Sequence, residues 1–267
     1  MEITRDDNNQ YHLLDREFEL PEIKLLIDSI QASKFLSEAK TRILIKKLEK
    51  QCSDYQASTL HREVIIANRV KTMNNSVHYN VDYIHRAIAN NKQITFQYFH
   101  HDTDRKKVYS NKGENIIVSP WAPIYTDDNY YLLAFHTLKQ EFRHYRVDRM
   151  DNVNETMYDR EGREAFAKVD MAEYTKYTFS MYQGEKVPVS MRFSNTMVDA
   201  VMDRFGKDVL MMKADDRHFE ITAVVSVSPQ FFGWVFGLGN KVEILGPEDV
   251  RKKMKKALSE NLERYEN

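Results

Sequence analysis

Apolar positions change period twice along the 267 residues, and the changes divide the chain into three parts. Residues 1–75 follow a helical period. Pro21 suits a first helical turn, and Ile23, Leu26, Ile27 and Ile30 follow at helical spacing. Ser37 is placed to cap a second helix carrying Ile43, Leu44 and Leu48. Residues 59–70 fit a third helix or a strand, because Val64, Ile65 and Ile66 are β-branched.

From residue 78 onward a short helix bearing Ile84 and Ile88 gives way to period-two patterns. Ile94, Phe96 and Tyr98 alternate, and further strands are expected at 106–110, 116–125, 130–136 and 141–150. The turn signals between them are Asn111-Lys112-Gly113 and Asp127-Asp128-Asn129. Closely spaced short strands of this kind predict a small barrel over 78–155. Residues 151–186 show no strong apolar period, which predicts a linker at 156–185. Over 186–267 strands and helices alternate as β-α-β-β-α-β, the order of a ferredoxin-like unit. There Asn195 is expected to cap a helix that stops at Gly206, and Pro247 to open the last helix. The expected class is α+β.

Charge narrows the partners. Lys+Arg number 39 against Asp+Glu 40, so any grip on a polyanion must come from a local cluster. A single cysteine, Cys52, excludes an intramolecular disulfide and suits a packing role beside Leu48. The polar start and the strand-sized apolar runs read as a soluble, cytoplasmic protein with no membrane partner.

No phosphate-binding loop, zinc-protease helix or nucleophile elbow occurs, and Gly237-Leu238-Gly239 lacks the third glycine of a dinucleotide loop. No cofactor and no enzymatic activity are expected. His100, His101, Asp102 and Asp104 are the one dense group of potential metal ligands or hydrolytic residues. Adjacent histidines in a hairpin loop seldom converge on one ion, so a solvated turn is the favoured reading. The basic run of Arg251, Lys252, Lys253, Lys255 and Lys256 shares a helix with the stripe Val250, Met254, Leu258 and Leu262, which makes it a solvated face. Phe231, Phe232, Trp234 and Phe236 suit a core or a contact between two copies.

The stretch 141–149 is harder to set aside. Alternation puts Arg146 on one face with His144 and Asp148, and Arg143 with Arg149 on the other. An irregularity near Asp148 would bring Arg146 and Arg149 together. Guanidinium groups grip phosphates bidentately, and Tyr131 and His136 are available to stack or hydrogen-bond. On spacing alone, an exposed strand pairing its arginines with Asp148, Asp151 or Glu141 stands level with a binding site.

Here the sequence resembles the WYL-domain family of bacterial transcriptional regulators. Ser119-Pro120-Trp121, Tyr130-Tyr131-Leu132 and Tyr145-Arg146-Val147-Asp148-Arg149-Met150 stand in the order and spacing of the family's blocks, with Tyr130 in the tryptophan place. Residues 81–98 resemble the domain's opening helix and strand, 187–265 the extension that often follows it, and 15–22 the entry to the family's helical linker. The resemblance implies an Sm-like, SH3-like barrel that senses a ligand, with nucleotides or single-stranded nucleic acid as candidates. The implied ligand-binding residues are Ser119, Tyr131, His136, Arg143, Arg146 and Arg149.

A homodimer is expected, because the aromatic segment from Phe231 to Phe236 and the apolar linker helices offer more apolar surface than small domains usually hide alone. The resemblance implies duplex DNA as a partner only through an N-terminal winged helix-turn-helix, for which 1–75 leaves no room beyond a wing-like hairpin at residues 2–13. The alternative from another class is a standalone Sm-like protein that binds single strands directly.

Overall fold

The computed structural model describes residues 3–5, 11–13, 18–53, 55–57, 71–171 and 184–266. The third helix or strand expected at 59–70 lies outside the described residues. The chain divides into two units, residues 1–162 and 163–267. The architecture is mixed α and β, with a curled antiparallel half-barrel sheet and a second, separate sheet.

The first unit opens with a small ladder of β1 (Ile3–Arg5) on β2 (Tyr11–Leu13). Helix α1 (Leu20–Ala32) follows, with a capping box in which the Glu19 N–H donates to Glu22 Oε2 at 2.7 Å. Ser37 does cap α2 (Glu38–Glu49), accepting from the Lys40 N–H at 3.3 Å. Ile23 and Ile27 of α1 pack on Ile45 of α2, with Leu48 and Cys52 against the same cluster. The sequence period misplaces part of this face: Leu26 and Ile43 are exposed, because Thr41 and Ile45 supply the inward turns of α2.

Helix α3 (Val77–Ala89) presents Val77, Ile84 and Ala87 to the sheet. The sheet comprises β3 (Lys92–His101), β4 (Lys107–Tyr109), β5 (Ile116–Thr126), β6 (Asn129–His136), β7 (Glu141–Arg146) and β8 (Met150–Asp159). Its order is β4-β3-β5-β6-β7, and β8 returns to pair with β3. Register shifts in the β3–β8 and β5–β6 ladders bend the sheet around its core. That core contains Ile94, Phe96, Val118, Leu132, Tyr145 and Met150. Asp127 and Asp128 both take positive φ, 48° and 60°, giving the tight β5–β6 turn that their residue types allow.

Two expectations need correction. The stretch from 151 is not linker at its start, since β8 runs through Asp159 along β3. Only Met150 and Val153 of β8 are buried, so backbone pairing makes this strand and leaves little apolar alternation to read. Strand β7 stops at Arg146, and a 3-10 turn at Val147–Arg149 separates it from β8.

After a short helix α4 (Arg163–Phe166), the second unit holds β9 (Glu185–Ser194), α5 (Val198–Phe205), β10 (Met212–Lys213) and β11 (His218–Val227). Helix α6 (Pro229–Gly237), β12 (Val242–Gly246) and helix α7 (Glu248–Glu266) complete it. Its antiparallel sheet has the order β10-β11-β9-β12. Phe193, Ile221, Phe231 and Val250 meet in the core. Gly206 ends α5 with φ 94°, where a side chain would be strained. Asn195 does not cap that helix. It begins a 3-10 turn, and its Nδ2 donates to the Asp216 carbonyl at 3.0 Å. Of the stripe on α7, Val250 is buried while Leu258 and Leu262 are exposed.

Candidate functional site

The break between β7 and β8 is held from below. Buried Asn80 on α3 donates its Nδ2 to the carbonyls of Val147 and Met150, at 3.4 and 2.9 Å. Asn74 donates its own Nδ2 to the carbonyls of Asp148 and Met150, at 3.1 and 3.3 Å. Val147 and Met150 point into the core at 0% exposure, which turns Arg146, Asp148 and Arg149 outward as a group.

Arg146 is locked in place. Its Nε and Nη2 donate to the two carboxylate oxygens of Asp148 at 3.0 and 2.8 Å, and Nη2 also reaches Asn129 Oδ1 at 2.7 Å. The Arg146 backbone N–H donates to the Tyr98 hydroxyl at 3.1 Å. The hydrogen bond to Asp148 is the main reason the guanidinium is held above its ordinary pKa. Its carbon lies 6.0 Å from the centre of the buried Tyr131 ring, and burial before all else pushes that phenol's pKa up. Arg149 is exposed and makes no ion pair or side-chain hydrogen bond among the described residues.

These groups open onto a cleft of about 950 Å³. Six cationic side chains line it: Lys34, Lys71, Arg105, Lys107, Arg146 and Arg149. Asp148 is the one carboxylate in the lining, which also includes Asn74, Asn129, Phe99 and His101. Lys107 is paired to Asp151 at 2.6 Å and lies 4.3 Å from the centre of the Phe99 ring. Arg105, like Arg149, has no ionic partner among the described residues. A near-neutral chain therefore has a local positive concavity, able to take a phosphate-bearing ligand against aromatic edges.

The six residues singled out from the sequence separate here. Arg146 and Arg149 share the cleft, and the Tyr131 ring centre lies 6.0 Å from the Arg146 guanidinium carbon. Ser119, Tyr131, His136 and Arg143 are not among its lining residues. Ser119 is fully buried, and its Oγ accepts the Glu161 N–H at 2.8 Å, a structural tie. Arg143 pairs with Glu141 at 2.7 Å, as the salt-bridge reading of this strand expects. Burial, then nearby Arg143, lowers the pKa of His136. Sequence reasoning missed Lys34, Lys71, Asn74, Asn129, Arg105 and Lys107. Arg105-Lys106-Lys107 is a legible basic run, whereas Lys34 and Lys71 carry no local signal.

His100 and His101 end β3, and Asp102 and Asp104 lie in the turn after it; all four are exposed, and Asp102 Oδ1 accepts the Lys106 N–H at 2.8 Å. Among the described residues no group of three or more His, Cys, Asp or Glu side chains is placed to hold a metal ion. Nor is any described helix long and apolar enough to cross a membrane.

His144 on β7 gives the first unit a pH response. Burial brings its pKa down from 6.5 to about 4, so the fold favours the neutral ring. Its contribution is complete above 6.5, the unfolded value, and is lost as pH falls towards about 4. Urea unfolding at pH 7 and pH 4.5 is expected to show roughly 2–3 kcal/mol of this loss, at 1.36 kcal/mol per pKa unit. His144→Phe should remove that share of the pH dependence. An unchanged pH dependence in the variant would contradict the assignment.

Residues 79–155 match the family pattern of the WYL domain, and residues 185–262 match that of the WCX domain. The chain thus carries a WYL domain followed by a WCX domain. The cleft-lining residues Phe99, His101, Arg105, Lys107, Asn129, Arg146, Asp148 and Arg149 all fall within the matched WYL domain.

Among solved structures the chain is similar to proteasome accessory factor B/C of Arthrobacter aurescens. The TM-score is 0.34 at 17% identity, over 98% of this chain and 38% of that one. It is also similar to a CRISPR Cas-related protein, with TM-score 0.44 and 13% identity over 95% of this chain and 75% of that one. The chain thus spans 38% of the length of the first of these. No curated protein matches.

Proposed function

We propose that this chain is the effector-sensing region of a transcriptional regulator, and that the cleft around Arg146 and Arg149 binds an anionic ligand of nucleotide or single-stranded nucleic-acid type. The observation that carries this reading is the cleft itself. Six cations surround it, and two of them, Arg105 and Arg149, have no ionic partner among the described residues. Phosphates satisfy guanidinium groups bidentately, and the exposed His101 offers ring surface beside them. The role is binding and not catalysis: the lining groups fix charge in place, and no nucleophile is paired with a base among them.

We read the half-barrel as Sm-like. We read the second unit as ferredoxin-like, since its elements run β-α-β-β-α-β and its sheet order is β10-β11-β9-β12. The working form is a homodimer, a reading supported by the exposed Phe236, Leu258 and Leu262 of that unit.

The test is fluorescence anisotropy with a labelled twelve-residue oligothymidylate, titrated at 50 and 200 mM NaCl beside a duplex of equal length. The single strand is expected to bind with a log–log salt slope of about −1.4 to −2.1, as for about two or three neutralised phosphates. Absence of single-strand binding, or binding indifferent to salt, would remove this reading.

A further inference from the structure

Part of the cleft wall belongs to the helical hairpin and not to the half-barrel. Lys34 lies in the loop between α1 and α2, and residues 71–74 lead from the hairpin to α3. This loop is docked firmly. The Phe35 ring meets Tyr125 and Tyr130 edge-on, with centroids 5.6 and 4.8 Å away. Lys71 Nζ donates to the carbonyls of Gln31 and Ser33, both at 2.9 Å, and the Thr72 N–H donates to the Lys34 carbonyl at 2.9 Å. Three residues on, Asn74 holds the turn that carries Arg149. The hairpin and the arginine turn are therefore fastened to the same short segment.

Against this fixed frame the Lys34 side chain is lightly held. Its ion pair with Asp128 spans 3.4 Å, with the two side chains 43% and 32% exposed. Such a pair contributes little and yields readily to a ligand carrying more charge. The Phe35 contacts do not involve the lysine head, so Nζ can leave Asp128 without undocking the loop. At about 950 Å³ the cleft lies near the upper end of ligand-site volumes and exceeds what a single phosphate needs.

Resting on the anion-binding reading above, we propose that Lys34 is a ligand residue and that the α1–α2 loop completes the site. The ligand is then a polyanion of two or more phosphates, gripped from the half-barrel by Arg149 and from the hairpin by Lys34. Occupancy ties the hairpin to the half-barrel more tightly, because the ligand adds a bridge between elements that already share the 71–74 segment.

The experiment uses the intact chain, labelled oligothymidylate of twelve residues, and the exposed-site variants Lys34→Met, Asp128→Asn and Arg149→Met. Lys34→Met should weaken binding about 5- to 10-fold and make the salt slope shallower by about one phosphate. Asp128→Asn, which releases Lys34 and removes a negative charge, should strengthen binding a few-fold. Hydrogen exchange over residues 29–36 should slow on binding in the wild type and not in Lys34→Met. If Arg149→Met abolishes binding while Lys34→Met matches the wild type in affinity, salt slope and exchange, the proposal for Lys34 fails and the anion-binding reading stands. If the wild type does not bind the oligonucleotide, both fail together.

Discussion

Replacing Arg146 and Arg149 together with alanine is expected to weaken binding of the labelled oligothymidylate at least 100-fold. Charge-assisted hydrogen bonds contribute about 1.5–3 kcal/mol each, so losing one from each arginine corresponds to roughly 10²–10⁴ in affinity. The two single variants should differ in kind. Arg149 is exposed and has no ionic partner among the described residues, so Arg149→Ala should weaken binding and leave stability within about 0.5 kcal/mol.

Arg146 is tied to both oxygens of Asp148 and to Asn129, with Asp148 only 17% exposed. Arg146→Ala strands that carboxylate and should cost about 1–3 kcal/mol of stability as well as affinity. Anisotropy titrations paired with urea unfolding separate the two effects. A double variant that binds within twofold of the wild type would show that the ligand sits elsewhere.

What the sequence disclosed follows the range of the interactions concerned. The β5–β6 hairpin was legible because its cause is local: alternation in Tyr130 to His136, and two aspartates that tolerate positive φ at the turn. Arg146 and Arg149 were legible for the same reason, since a break between them aligns neighbours on one strand. The first strand of the expected linker was not, because β8 is held by its ladder to β3 and shows mostly polar side chains to solvent. Half the cleft was equally hidden. Lys34 and Lys71 meet Arg146 only after Phe35 docks on Tyr125 and Tyr130, a contact that spans some 90 positions of chain.

Ser119 is the opposite case. Its place in a motif marked it for the ligand, and its full burial instead aims the hydroxyl at the Glu161 amide. Likewise, alternation alone could not foresee that Arg143 would be taken by Glu141 at the start of the same strand.

The tie made by Ser119 leads to the second large effect, at Gly162. Gly162→Val is expected to destabilise the first unit by about 2–5 kcal/mol. Gly162 has φ +81°, a conformation that costs a β-branched residue about 1–3 kcal/mol. A Cβ there would lie 2.5 Å from Phe135 Cγ and 2.8 Å from both Cδ atoms, so overpacking adds about 1–3 kcal/mol more. Neither side can move aside easily. Phe135 is 6% exposed and packs on Phe142, with ring centroids 5.4 Å apart. The segment before Gly162 is pinned by hydrogen bonds, among them that from the Arg160 backbone N–H to the Asn91 carbonyl at 3.0 Å. Glu161 donates its N–H to Ser119 Oγ at 2.8 Å and accepts from Trp121 Nε1 at 2.9 Å, while Arg160 donates to the Pro120 carbonyl at 2.9 Å and to Asn91 Oδ1 at 3.2 Å. The Arg160 guanidinium also lies 4.2 Å from the centre of the Trp121 ring.

Because Trp121 is part of this latch and the chain has 2 tryptophans, fluorescence in a Trp234→Phe background reports on the first unit alone. Urea midpoints at constant slope then give the stability change. Ser119→Ala serves as the companion. It should cost about 1 kcal/mol through the lost acceptor yet bind the oligonucleotide like the wild type, since Ser119 does not line the cleft. A Gly162→Val change below 0.5 kcal/mol would mean that the segment relaxes away from Phe135. A Ser119→Ala variant that folds normally but loses the ligand would return Ser119 to the binding site.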